Sequence, residues 1–124
     1  MNRVVLGTLL SGVVLLLPKQ DEPRAPRIGA ADSVSVALRT FQYRPHRVEV
    51  KAGTTVVWSN EDEIEHTVTA GSAEARDSLF DLPLAHKGAR TAFTFNQPGT
   101  FAYFCARHPM MRGEIHVTLK GATP

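Results

Sequence analysis

Cys105, His108 and Met111 follow one another as Cys-x2-His-x2-Met, inside the segment Tyr103-Phe-Cys-Ala-Arg-His-Pro-Met-Met-Arg-Gly113. A soft thiolate, an imidazole and a thioether on one short loop can converge on a single ion. With one more imidazole the set becomes two histidines and a cysteine in a trigonal arrangement with a weak axial methionine, which selects copper. Taken alone, Cys105 reads as a small buried hydrophobe, as most lone cysteines do. His108 and Met111 at these spacings turn that reading toward a metal ligand. Phe101, Tyr103 and Cys105 alternate and therefore share a face, which points the sulfur toward an apolar interior. A dry, shielded thiolate suits a redox site better than a reactive nucleophile. Met110 competes with Met111, since either could fill core space; spacing favours Met111 as the axial ligand and leaves Met110 on an exposed apolar rim.

The second imidazole must come from elsewhere in the chain. His66 is the best candidate, because it opens a strand after the turn-like stretch 60–65, and loops from one end of a sandwich can meet. Otherwise it reads as a strand-edge histidine bonded to backbone. His46 and His86 lie beside strand starts with no partner pattern, and His116 is out of phase with Ile115, Val117 and Leu119; all three stay outside the site. Glu61, Asp62, Glu63 and Glu65 form an acidic cluster beside His66. It reads as a solvated loop or as a surface that steers a basic partner, with Arg107 and Arg112 completing a mixed-charge rim.

The elements that must position these residues are strands. From Val34 onward apolar residues recur at period two, the mark of half-buried strands. The pattern covers residues 34–38, 48–51, 54–59 (with Trp58, the single tryptophan), 66–70, 93–95, 101–105 and 115–119. Ala52-Gly53 and Gln97-Pro98-Gly99-Thr100 supply turns, the latter with Pro and Gly where a type II turn wants them. Residues 71–89 are the least regular, with a short helical turn around 73–80 as a candidate. Seven short strands without a long helix predict an all-β fold, an antiparallel β-sandwich of roughly 100 residues or fewer.

The chain has 124 residues and a formal net charge of +2. Four basic residues, Arg3, Lys19, Arg24 and Arg27, precede the strand region, so the domain itself is close to neutral, which argues against nucleic acid as a partner. Residues 1–18 read as a signal peptide or an uncleaved amino-terminal anchor: Asn2 and Arg3 precede an apolar run over 4–17, short for a membrane span. Gly29-Ala30-Ala31 is the nearest candidate cleavage site. Residues 19–32 read as a linker and 33–124 as the folded domain. With one cysteine, an exported chain forms no internal disulfide, so its core must stand on packing or on a metal.

Trp58-Ser-Asn-Glu-Asp-Glu-Ile-Glu-His-Thr-Val-Thr69, then Pro98-Gly-Thr-Phe-Ala-Tyr-Phe-Cys105 and the Cys-x2-His-x2-Met loop, resemble the cupredoxins, blue type 1 copper proteins with a Greek-key β-sandwich. The resemblance covers residues 41–117. The short ligand loop, with Pro109 directly after the histidine, is most similar to the amicyanin type within the plastocyanin-like group. Carried over by motif position, it implies His66, Cys105, His108 and Met111 as ligands of one copper ion. Thr67 departs from the pattern, where asparagine follows the first ligand histidine. The backbone N–H at that position, which commonly bonds the cysteine sulfur in the family, survives the change, so binding is expected to persist with a differently tuned potential. Pro109 has no N–H and offers the sulfur no second donor.

The expected function is one-electron transfer between exported, periplasmic redox partners, with no enzymatic reaction of its own. A c-type cytochrome, an oxidase or a dehydrogenase is equally allowed as partner, in transient complexes, and a monomer is expected. The alternative is a periplasmic copper carrier or storage protein; such sites tend to be rich in Met or Cys, and this chain has three methionines including Met1. An electron-entry module of a larger copper oxidase would bring paired His-x-His motifs, which the sequence lacks. A plain Ig-like sandwich leaves the Cys-His-Met loop unexplained.

Overall fold

The computed structural model describes residues 32–119 as a continuous stretch. Apart from Gly7 and Gly12, the export segment and nearly all of the linker expected from the sequence lie outside the described residues. The described chain runs through nine strands: β1 (Ser33–Arg39), β2 (Gln42–Arg44), β3 (Arg47–Lys51), β4 (Thr54–Asn60), β5 (His66–Gly71), β6 (Arg76–Leu84), β7 (Arg90–Phe95), β8 (Gly99–Phe104) and β9 (Arg112–Thr118). They form a four-stranded sheet in the order β2-β1-β4-β7 and a five-stranded sheet in the order β3-β9-β8-β5-β6. The result is an all-β Greek-key sandwich.

Alternation decides which side chains fill the space between the sheets. Val36, Leu38, Val56, Trp58 and Phe95 come from one sheet, and Val68, Leu84, Tyr103, Ile115 and Val117 from the other; all are buried in one cluster. Trp58 lies at its centre, with ring centroids 5.4 Å from Tyr103 and 6.2 Å from Phe80, both across the sandwich. Aromatic contacts at such separations add to the burial of apolar area.

All seven strands expected from the sequence are present. The antiparallel expectation is corrected in part: β1 pairs parallel with β4, and β3 parallel with β9. The chain changes sheet at Ala52-Gly53, so β4 comes back alongside β1 in the same direction. Gly53 turns with φ +94°, and its N–H donates to the Phe95 carbonyl of one sheet while the Ala52 N–H donates to Thr118 of the other. Two strands are additional. β2 has three residues, too few for alternation to register. β6 replaces the helical turn expected around 73–80, pairing antiparallel with β5 from His66↔Leu84 to Gly71↔Arg76. As an edge strand it buries only Phe80 and Leu84 of its nine residues. Their spacing of four erases the period-two signal, and Pro83 is of the kind tolerated only at an edge. Leu119, expected in phase with Val117, lies past the end of β9 and is exposed.

Gly113 faces Tyr103 across the β8–β9 ladder, and a Cβ there would collide with the phenol ring. Gly113→Ala is therefore expected to lower stability by about 1–3 kcal/mol through overpacking, read as a fall in the urea midpoint at unchanged m-value.

Candidate metal centre

Three connections meet at one end of the sandwich: the β8–β9 loop with Cys105 to Met111, the β4–β5 loop leading to His66, and the β1–β2 turn at Thr40-Phe41. Cys105 directly follows β8 and is wholly buried, as is His66, the first residue of β5. His108 is partly exposed. The Nδ1 atoms of His66 and His108 each lie 3.7 Å from the Cys105 Sγ. The three donor atoms all fall within 4.8 Å of one another. A thiolate and two imidazole nitrogens converging at this range fit a copper ion, whose preferred soft and borderline donors they are.

Met111 is buried beside them, whereas Met110 is 95% exposed, which divides the two methionines as their spacing suggests. The loop holds its shape through its own backbone. His108 N–H donates to the Cys105 carbonyl (3.2 Å), Met111 N–H to the His108 carbonyl (2.8 Å), and Cys105 N–H back to the Met111 carbonyl (3.1 Å).

Thr67 ties this loop to β5. Its N–H donates to the Cys105 Sγ at 3.4 Å, so the backbone donor expected at this departure is in place. Its hydroxyl accepts from the Ala106 N–H (2.8 Å) and pairs with the Thr69 hydroxyl (2.8 Å), which in turn donates to Asp81 Oδ1 (2.9 Å). Its carbonyl accepts from the Tyr43 hydroxyl at 2.6 Å. Burial pushes the Tyr43 phenol well above its ordinary pKa, with the Cys105 charge adding to the effect. Tyr43 therefore stays a neutral donor.

The outer nitrogen of His66 meets a carboxylate. Nε2 lies 2.8 Å from Asp62 Oδ2, so with Nδ1 turned to the sulfur the proton belongs on Nε2. A carboxylate behind a ligating imidazole fixes its tautomer and raises its basicity. Burial raises the Asp62 pKa, but hydrogen bonds from Phe41, His66 and Thr40 outweigh it and hold the carboxyl below its usual range. Those bonds come from the Thr40 N–H (2.7 Å) and the Phe41 N–H (3.0 Å). Thr40 and Phe41 have φ of 55° and 59°, the left-handed region, which costs about 1–2 kcal/mol per residue without glycine.

Of the sequence candidates, His66, Cys105 and His108 bring their donor atoms together, and Met111 is buried and bonded to Cys105 through the main chain; His46, His86 and His116 are not in this group. His86 Nδ1 bonds the Lys87 carbonyl, and His116 shares a hydrogen bond with Thr100. The acidic cluster is no free negative surface. Glu61 pairs with Arg39, Glu63 with Lys87, Glu65 with Arg107, and Asp62 with His66. Sequence reasoning missed Asp62 as a partner of His66, and missed Tyr43 and the Thr40-Phe41 turn. Asp62 stands four residues before the histidine, a weak signal inside a run of acids; nothing local marks the others.

A sandwich with a buried cysteine sulfur between two imidazoles at one end defines a site suited to one soft metal ion. The chain belongs to the plastocyanin/azurin family of copper-binding proteins, which matches residues 30–118, and is a cupredoxin. It is 34% identical over 97 residues to amicyanin from Paracoccus versutus, covering 78% of this chain and 74% of that one. It is 30% identical over 87 residues to amicyanin-alpha from Methylorubrum extorquens, covering 70% and 73%. Among solved structures, a purple cupredoxin from Nitrosopumilus maritimus superposes with a TM-score of 0.64 at 26% identity, covering 68% of this chain and 99% of that one. An oxidised amicyanin variant gives 0.63 at 30% identity, covering 73% and 86%. Copper is accordingly the metal of this family and site, and the relatives and the His-Cys-His-Met arrangement support electron transfer.

Proposed function

We propose that this chain is an exported electron carrier in which His66, Cys105, His108 and Met111 hold one copper ion, with residues 33–124 as its cupredoxin domain behind a signal peptide or anchor (1–18) and a linker (19–32). The observation that carries it is the pair of Nδ1 atoms, each 3.7 Å from the sulfur of a fully buried cysteine. When bound, copper supplies a one-electron Cu(I)/Cu(II) couple. Every other requirement falls to the protein. Asp62 holds the His66 proton on the nitrogen away from the site. The Thr67 N–H stabilises negative charge on the sulfur, and Met111 brings a weak thioether. Four side-chain ligands leave no position for an exchangeable water, which hydrolytic metal sites need, so the reading is a carrier and not an enzyme.

Electrons cross at the partly exposed His108, beside Pro109 and Met110, with Phe41 against its ring (centroids 5.1 Å apart). A small apolar rim suits brief encounters with a periplasmic cytochrome, oxidase or dehydrogenase. The competing reading, a copper carrier, needs a site that gives its ion up readily; the fully buried sulfur, held by the Thr67 N–H, favours retention.

The test is a visible spectrum with one equivalent of Cu(II), beside Cys105→Ala. An intense blue or purple thiolate charge-transfer band is expected in the wild type and none in the variant. A colourless wild type would overturn the reading.

A further inference from the structure

The β1–β2 turn is costly and exposed, yet closely held. A two-residue hairpin turn with both residues at φ above zero favours Asn-Gly; here it is Thr40-Phe41, at 55° and 59°. Such strain persists where surrounding structure over-determines it, and it gathers at functional sites. Both turn N–H groups are taken by one carboxylate, Asp62, which also bonds His66. The effect is to lay the Phe41 ring, 49% exposed, across the site. It meets His66 at 5.5 Å and His108 at 5.1 Å between centroids, edge to face in both cases. His66 is already fixed by burial and by Asp62. His108 is partly exposed and sits on a short loop, and Phe41 reaches it from a different hairpin.

We propose that Phe41 is a positioning residue for His108, held in place by Asp62 through the left-handed turn, and that it restrains the exposed imidazole from turning away from the metal. This rests on the copper reading above. Removing the ring leaves one side of His108 open, so the imidazole detaches more often and the metal escapes faster.

The experiment uses the full chain with one equivalent of copper, reduced, and follows transfer of Cu(I) to an excess of bathocuproine disulfonate. Phe41→Ala is expected to release copper about tenfold faster, the lower end of losses seen when outer-shell partners of metal ligands are removed. Phe41→Tyr, which keeps the ring, is expected to stay within about twofold of wild type, inside ordinary context variation for surface changes. Phe41→Leu keeps apolar bulk without a ring edge and is expected to follow the alanine variant. The His108 ring protons of the Cu(I) protein should show exchange broadening in the alanine and leucine variants, the mark of a detaching imidazole, which loss of the Phe41 ring current alone would not produce. In an Asp62→Ala background the turn is already released, so adding Phe41→Ala should change the rate little further; independent effects that multiply would overturn the role of Asp62. Wild-type release and unbroadened His108 ring protons in Phe41→Ala would overturn the proposal while leaving the charge-transfer band intact. Absence of that band in the wild type would instead overturn the copper reading.

Discussion

Asn60→Ala is expected to lower the unfolding free energy of the metal-free protein by about 3–5 kcal/mol, the sum of lost hydrogen bonds and stranded partners at about 0.5–3 kcal/mol each. Asn60 is 1% exposed at the end of β4. Its Nδ2 donates to the Ile64 carbonyl (2.8 Å) and to the Leu84 carbonyl (3.1 Å), and its Oδ1 accepts from the Asp62 N–H (2.9 Å). One amide thus pins the loop that leads into His66 and joins it to the end of β6. Alanine leaves those backbone groups without this partner in a place where water enters poorly. The main-chain bonds of residue 60, to Ala89 and Gly88, are kept, so the loss isolates the side chain. Urea denaturation reads it directly. A change below about 1 kcal/mol, the range of an ordinary surface substitution, would mean that the loop supports itself. Because Asp62 hangs from the same loop, copper affinity should fall along with stability.

Stripping copper from the loaded protein is expected to produce the other large effect. A ligand that binds the folded state alone stabilises it by about 4 kcal/mol when free ligand stands a thousandfold above Kd. For a domain of this size each kcal/mol moves Tm by roughly 4–8 °C, so the metal-free form should melt at least 15 °C lower, by about that factor. The core explains why the site can carry so much: Cys105 lies in the same buried cluster as Trp58 and Tyr103. Cys105→Ala should abolish the copper-dependent shift. Met111→Ala should keep most of it, since the thioether is the weakest of the four donors of the proposed site. Calorimetry with and without a chelator decides the matter; equal melting temperatures would show that the site adds nothing to the fold.

How much of this could be read in the sequence depended on how local each cause is. Cys105, His108 and Met111 were legible because a single loop carries all three. Strands with one wet face, such as β1 and β9, declared themselves by alternation. His66 needed the added inference that two loops share an end. Asp62 was visible only as one acid among four, because its role arises from the hairpin that folds onto it from more than twenty residues away. Phe41 gave no signal, since nothing in a Thr-Phe pair announces a left-handed turn. The β6 strand hid because an edge strand that buries two of nine side chains has no pattern to show. Parallel pairing was hidden for a different reason: alternation reports which face a residue takes, not the direction of the neighbouring strand.

The three backbone bonds of the ligand loop have an arithmetic consequence. Each of the first two spans three residues, from Cys105 to His108 and from His108 to Met111, and the third closes the ring between Met111 and Cys105. Cys105 and His108, one turn apart, therefore deliver their side chains to the same side. An insertion between Cys105 and His108 could not be taken up as slack. It would put the imidazole out of phase with the sulfur and break the closing bond at once. The interval of three in the chain is the imprint of two linked turns; a change of side chain at 106, 107 or 110 leaves these backbone bonds in place, whereas a change in the count of residues alters them.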